Sequence, residues 1–184
     1  AILAGVSSAT GEIIVLTDAG AYHSRDAIEH LVEHFEDPEV GAATGSEIVI
    51  VANKGLGGRL EQSYRSFYDF MRQAETAMSS TPDSKGEILA VRKEICRNLA
   101  AKLRLSPNAS FDSCVPYEAK LMGYKTIYDR QATYYEYAPS SVTDRMKQQI
   151  RRGTSLVGAL VFFKGMVLKR KYGKFGLVIL PAHF

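Results

Sequence analysis

The order of apolar runs over the first fifty residues restricts the fold more than any other feature of the chain. Glu12–Leu16 (EIIVL) is a short apolar run bounded by Gly11 and Asp18, the pattern of a buried strand. Ser24 stands at an N-cap position. Arg25–Phe35 then carries apolar residues at 27, 28, 31, 32 and 35, the spacing of one helix face. Asp37-Pro38 stops that helix. Val40–Val51 contains Gly41, Gly45 and the run IVIV, and reads as one or two strands. Strand, helix, strand in this order is the signature of an α/β fold with a mixed central sheet flanked by helices.

The remaining pattern extends that scheme. Gly55–Gly58 predicts a flexible break, and Arg59–Ser79 a long helix bearing Leu60, Tyr64, Phe67, Tyr68, Phe70, Met71 and Ala74. Ser79–Lys85 (SSTPDSK) is a polar loop. Gly86–Val91 (GEILAV) predicts a second buried strand, with a short helix from Arg92 and a loop at Ser106–Ser110. Val115–Met122 predicts a helix closed by Gly123 as its C-cap glycine. Lys125–Asp129 and Thr133–Tyr137 predict two short strands. Thr143 or Asp144 caps a last helix reaching about Leu168. There is no internal repeat and no low-complexity tract.

At 184 residues the chain has the size of one domain, and its 46% hydrophobic and 23% charged residues exclude disordered and collagen-like classes. Cys96 and Cys114 have no CxxC partner and no metal-ligand spacing, which predicts free thiols in a reducing compartment. The opening AILAGVSSATGE is neither a signal peptide nor a clean start, and predicts a chain that begins inside an element. The net charge of +3 hides an asymmetry. Residues 145–184 hold nine Lys or Arg and no Asp or Glu, against fourteen bases and twenty acids before them. We therefore divide the chain into 1–144 and a basic, apolar segment 145–184 suited to an anionic partner.

Four stretches offer chemistry. Thr17-Asp18-Ala19-Gly20 puts a carboxylate just past a buried strand, at the edge where α/β sheets bind ligands. Such a carboxylate can hold a divalent cation that neutralises a diphosphate; its ordinary role is to cap the next turn. Gly86-Glu87 enters the second strand, where a glycine lets a ligand or another backbone come close; its ordinary role is a plain strand start. Phe111-Asp112 precedes an amphipathic helix. An Asp there ordinarily caps the helix, and becomes a general base if it faces a cleft. In Gln148-Gln149-Ile150-Arg151-Arg152-Gly153, Gln149 and Arg152 share one helical face. Arg suits bidentate phosphate contact, although a charged run is ordinarily a solvated face.

Taken together, and in order, these stretches resemble the GT-A glycosyltransferases of family 2. ATGEIIVLTDAG is similar to the strand that delivers the family's Asp-x-Asp motif, and DAIEHLVEHFEDPEVGAATG to its next helix and strand. GEILAVRKEI resembles the family's G-x-x-x-A-x-R-R strand and helix. FDSCVPYEAKLMGYKTIYD resembles its acidic pair, helix and G-Y-x-x-x-Y, and QQIRRG its Q-x-x-R-W element. The resemblance runs to about residue 153.

It implies a GT-A fold lacking the N-terminal nucleotide-binding strands, and a hexosyltransferase acting by a single inverting displacement. Asp112 would be the catalytic base, and Asp18, Gln149 and Arg152 would bind the donor diphosphate. Asp18 would also bind a metal ion, Mg²⁺ or Mn²⁺, and Gly86 and Glu87 would line the acceptor or sugar pocket. Three positions depart from the family. Gly20 stands where the second Asp of the motif falls, which removes a metal ligand. Phe111 replaces the first acid of the pair. Gly153 replaces the tryptophan of processive members, which argues against a processive polysaccharide synthase.

The implied partners are a nucleoside-diphosphate sugar and a glycan or lipid-linked acceptor. Ser155–Leu168 (SLVGALVFFKGMVL) with KRKYGK after it fits an interfacial helix on an anionic membrane surface and, equally, a core helix with a solvated basic end. The resemblance tips the reading toward the membrane surface, and hence to the cytoplasmic face of a membrane. A non-catalytic nucleotide-sugar-binding relative is the competing reading of the whole. A nucleic-acid module lacks any recognisable motif.

Overall fold

The computed structural model describes residues 2–50, 56–102, 109–137 and 141–183. Five strands form one mixed sheet: β1 (Ile13–Leu16), β2 (Tyr22–His23), β3 (Val40–Ile50), β4 (Leu89–Arg92) and β5 (Lys125–Tyr137), in the spatial order β1-β4-β3-β5-β2. β4 runs antiparallel to both β1 and β3, β5 parallel to β3, and β2 antiparallel to β5. Among the described residues seven α-helices accompany them: α1 (Ile2–Ser8), α2 (Ala27–Glu33), α3 (Leu56–Met78), α4 (Lys93–Lys102), α5 (Phe111–Leu121), α6 (Val142–Phe162) and α7 (Leu180–Ala182).

The sheet has apolar side chains on both faces because its central strands are covered on both sides. Side chains alternate across a strand. Leu89 and Val91 of β4 and Ala42 of β3 therefore face one core, with residues of α4, α5 and the C-terminal segment. Ile88, Ala90 and Ala43 face the other, with Ala27 and Leu31 of α2 and Phe35. Residues 40–47 of β3 are all buried, and exposure begins at Ile48.

Several boundaries differ from the sequence expectation, each for a local reason. The two short strands expected at 125–129 and 133–137 are one strand. Gly45 pairs with Asp129 and Ser46 with Thr133, so residues 130–132 form a bulge rather than a loop. A Cβ on Gly45 would lie 2.0 Å from the carbonyl oxygen of Ala132, so the bulge sits against bare backbone. Gly57 and Gly58 lie inside α3 rather than in a break. Val51, Gly55 and residues 106–108 lie outside the described residues. The cap of α2 falls at Asp26 instead of Ser24.

α5 begins at Phe111, four residues before the expected start. Its cap is Ser110, whose side chain accepts from the Ser113 N–H. The helix closes as expected at Gly123 (φ +93°). There the N–H of Tyr124 donates to Ala119 and that of Gly123 to Lys120, the paired bonds of a Schellman end. α6 is capped by Ser141, which accepts from the Asp144 N–H, in place of Thr143 or Asp144. It ends at Phe162, not Leu168. Beyond it the chain folds back through short turns. Phe163, Met166, Phe175, Ile179 and Leu180 join the core of β4 and α5, and the Phe163 ring stacks on Tyr117 at 5.1 Å. His183 bonds Glu75 of α3 at 2.8 Å.

Candidate active site

One edge of the sheet collects the candidate side chains. Leu16 at the end of β1 and Thr44 of β3 both pair with Leu89, the first residue of β4. β4 runs opposite to the other two. The carboxyl end of β1 and the entrance to β4 therefore share one edge, with Asp18 beyond the first and Gly86-Glu87 before the second. The start of α5 brings Asp112 to that edge, and α6 crosses it with Gln149 and Arg152. A cleft of about 650 Å³ opens there, and Asp18, Gly86, Glu87, Asp112, Gln149 and Arg152 all line it. The six residues singled out in the sequence thus meet in one place.

Their environments differ. Asp18 is exposed at the rim, where its carbonyl accepts from the Ala21 N–H in a turn. Asp112 is half-buried in the first turn of α5. It does not cap the helix, since Ser110 does. Gly86 packs against it: a Cβ on Gly86 would meet the Asp112 Cγ at 3.2 Å and Oδ2 at 3.3 Å. The close approach that this glycine permits is made by Asp112 itself.

Arg152 is held by carboxylates. Its guanidinium lies 2.8 Å from Glu87, 3.1 Å from Glu136 and 3.9 Å from Glu47. Burial alone would lower its pKa, but the three carboxylates raise it above the ordinary arginine value. Glu87 shows the reverse balance. Burial raises its carboxyl despite the pull of Arg152 and Lys85. Glu47 would also be raised by burial, yet Lys85 at 2.7 Å and Arg65 at 3.0 Å bring it down to about 2.

Glu47, Lys85 and Arg65 also line the cleft, and the sequence reading passed over all three. A carboxylate directly before the apolar run IVIV, within a strand pattern, was the available signal for Glu47. Lys85 and Arg65 carried none, because their partner comes from a distant strand. Arg151, exposed, lines the cleft beside Arg152. Ser110, Ser113 and Ser155 form a hydroxyl cluster there that joins α5 to α6: Ser155 Oγ donates to Ser110 Oγ at 2.6 Å and lies 3.1 Å from Ser113 Oγ.

Among the described residues no three His, Cys, Asp or Glu side chains converge as a complete metal site. Asp18 supplies one carboxylate, and a Cβ on Gly20 would face open space. That donor set fits a hard cation only if the ligand's own phosphate oxygens complete the shell, as they do for many Mg²⁺ sites.

Residues 1–155 match the family described as Glycosyltransferase like family 2, and the chain belongs to that family. It is similar to a solved structure, the mannosyltransferase PcManGT from Pyrobaculum calidifontis in complex with GDP-Man and Mn²⁺. The two share 29% identity with a TM-score of 0.67, over 88% of this chain and 41% of that one. The chain thus spans less than half the length of that relative. No curated protein matches it. The GT-A fold expected from the sequence is supported by both likenesses.

Proposed function

We propose that this chain carries the catalytic and acceptor side of an inverting glycosyltransferase that moves a sugar from a nucleoside-diphosphate donor to an acceptor hydroxyl. The observation that carries the reading is the meeting of Asp18, Asp112, Gln149 and Arg152 at one cleft of a family 2 domain. In this reading the acceptor oxygen forms a bond to the anomeric carbon while the bond from that carbon to the phosphate oxygen breaks. The proton passes to the Asp112 carboxylate, and the nucleoside diphosphate leaves with the electron pair. Asp18 would hold a Mg²⁺ or Mn²⁺ ion, which would supply positive charge against the departing diphosphate. Gln149 and Arg152 bind the same diphosphate, for which Arg152 must exchange carboxylate partners for phosphate oxygens. Gly86 and Glu87 border the acceptor or sugar pocket.

The relative's complex with GDP-Man and Mn²⁺ makes GDP-mannose the first donor to try. The test is transfer by the full-length protein with Mn²⁺ present. Asp112→Asn should lower turnover by at least ~10²-fold with donor affinity retained. Unchanged turnover in that variant would remove Asp112 from the chemistry.

A lipid-linked acceptor at the cytoplasmic face of a membrane belongs to the same proposal. Val157, Val161, Leu168 and Val178 are exposed along the C-terminal segment 145–184, beside exposed Lys164, Lys169 and Lys171. No helix among the described residues is long and apolar enough to cross a membrane. An apolar strip with basic flanks fits the surface of an anionic bilayer instead. Flotation with vesicles containing phosphatidylserine should carry the protein upward, and failure to float would count against the membrane.

A second reading has its own support. Gly20, Phe111 and Gly153 depart from the family pattern, and Arg152 is already occupied by carboxylates. Both fit a relative that binds nucleotide sugar without transferring it. Calorimetry with GDP-mannose that shows binding, beside a transfer assay that shows no product, would select it.

A further inference from the structure

Helix α5 contains a proline at a position with a specific consequence. Pro116 lies inside the helix. An interior proline has no N–H for the carbonyl four residues back, and its ring pushes that carbonyl away from the helix axis. The carbonyl concerned belongs to Asp112. A buried carbonyl without a donor is costly, and here a side chain from another part of the chain supplies one. Ser84, 4% exposed, donates its hydroxyl to the Asp112 carbonyl at 2.6 Å.

The segment that holds Ser84 is itself fixed to the sheet. The Lys85 N–H donates to Thr44 Oγ1 at 3.1 Å, and that hydroxyl donates to the Ile88 carbonyl at 3.0 Å. Thr44 is 1% exposed in the central strand β3. Two residues after Ser84 comes Gly86, where an added Cβ would lie 3.2–3.3 Å from the Asp112 side chain. The same short segment therefore bonds the Asp112 main chain through Ser84 and, by lacking a side chain at Gly86, leaves room for the carboxylate. On the opposite flank the first turn of α5 is tied to α6, where the Ser110 N–H donates to Ser155 Oγ at 3.0 Å.

We propose that Ser84 and Pro116 are positioning residues for Asp112: the proline withholds the helical donor from the Asp112 carbonyl, and Ser84 takes its place and references the carboxylate to β3. An ordinary helical residue at 116 would satisfy the carbonyl within α5. It would leave the first turn free to shift with the helix rather than with the sheet edge where the donor binds. The inference rests on Asp112 being the base. Its force comes from geometry, since a reacting group displaced by ~1 Å loses on the order of 10²-fold in rate.

The test compares four forms of the full-length protein: wild type, D112N, S84A and the double variant S84A/P116A. Turnover, acceptor KM, donor affinity and thermal midpoint are measured for each. S84A should lower kcat by roughly tenfold, with acceptor KM and donor affinity within about twofold of wild type. The double variant restores a backbone N–H to the Asp112 carbonyl without the tie to β3, so it should recover the thermal midpoint and keep the loss of kcat. A serine that only satisfies the carbonyl predicts instead that kcat recovers together with the midpoint. Wild-type kcat in S84A, with D112N inactive, would overturn the positioning role and leave the base intact. Full activity in D112N would remove the base and with it anything to position. A double variant that regains wild-type kcat would overturn the positioning role. Should S84A fail to fold, the double variant is read alone: kcat about tenfold below wild type supports the proposal, and wild-type kcat, or failure to fold, overturns it.

Discussion

Asp112, Arg152 and Glu47 show how far a residue's chemistry can be read before its neighbours are known. Asp112 was legible, because an acid ahead of an amphipathic helix and after a loop is a small set of possibilities. Its cap role fell to Ser110 only once the helix was seen to start at Phe111. Arg152 was legible as a cation on the face of Gln149, but its three carboxylate partners come from β3, the entrance to β4 and β5, and no local pattern announces them. Arg152→Gln should therefore lower stability by about 1–3 kcal/mol, measured by urea denaturation, because it strands partly buried carboxylates. The arginine is part-exposed, so the cost falls below that of breaking a fully buried pair. The two thiols behave in the opposite way. Burial pushes both Cys96 and Cys114 up to about 12, with the Asp112 and Glu118 carboxylates adding to the effect at Cys114. Neither should react with iodoacetamide in the native protein at pH 8, and both should react in denaturant, as mass spectrometry would record.

At the scale of elements, periodicity found the strands and helices and missed the places where one element leans on another. The break expected between residues 129 and 133 reflects three polar or small residues, Arg130, Gln131 and Ala132. They make a bulge because β3 offers Gly45 opposite them. Gly45→Ala puts a methyl group into the Ala132 carbonyl and should cost at least ~2 kcal/mol, read from the thermal midpoint. Gly123→Ala should cost about 1 kcal/mol, since an L side chain is disfavoured at φ +93°. The end of α6 was misplaced by the apolar run through Leu168. Those residues are apolar because the chain turns back to bury Phe163 and Met166 in the core, not because the helix continues.

For the molecule as a whole, the cleft's charges govern behaviour in acid. The Glu47 carboxyl titrates at about 2 in the fold, against 4.5 as its ordinary value. The stability it confers is therefore complete above about pH 4.5 and is lost as the pH falls towards 2. Glu87, raised by burial, acts in the opposite sense, with the smaller shift. Thermal midpoints should fall between pH 4.5 and 2, and Glu47→Gln should flatten that descent while lowering the midpoint at pH 7. Apolar residues before and after residue 144 pack together in one core.

The parallel pairing of β3 with β5 has a consequence for how the chain reaches this structure. Val40 pairs with Lys125 and Ile50 with Tyr137, partners roughly 85 residues apart. During synthesis β3 emerges early, and its neighbour in the centre of the sheet arrives only after α3, β4, α4 and α5 have followed. Closing so long a loop before any ladder bond repays it is slow, which sets refolding on the order of milliseconds to seconds. Until then β3 waits with one edge of its backbone unpaired, and chaperone capture at that stage is the expected fate of a stalled chain.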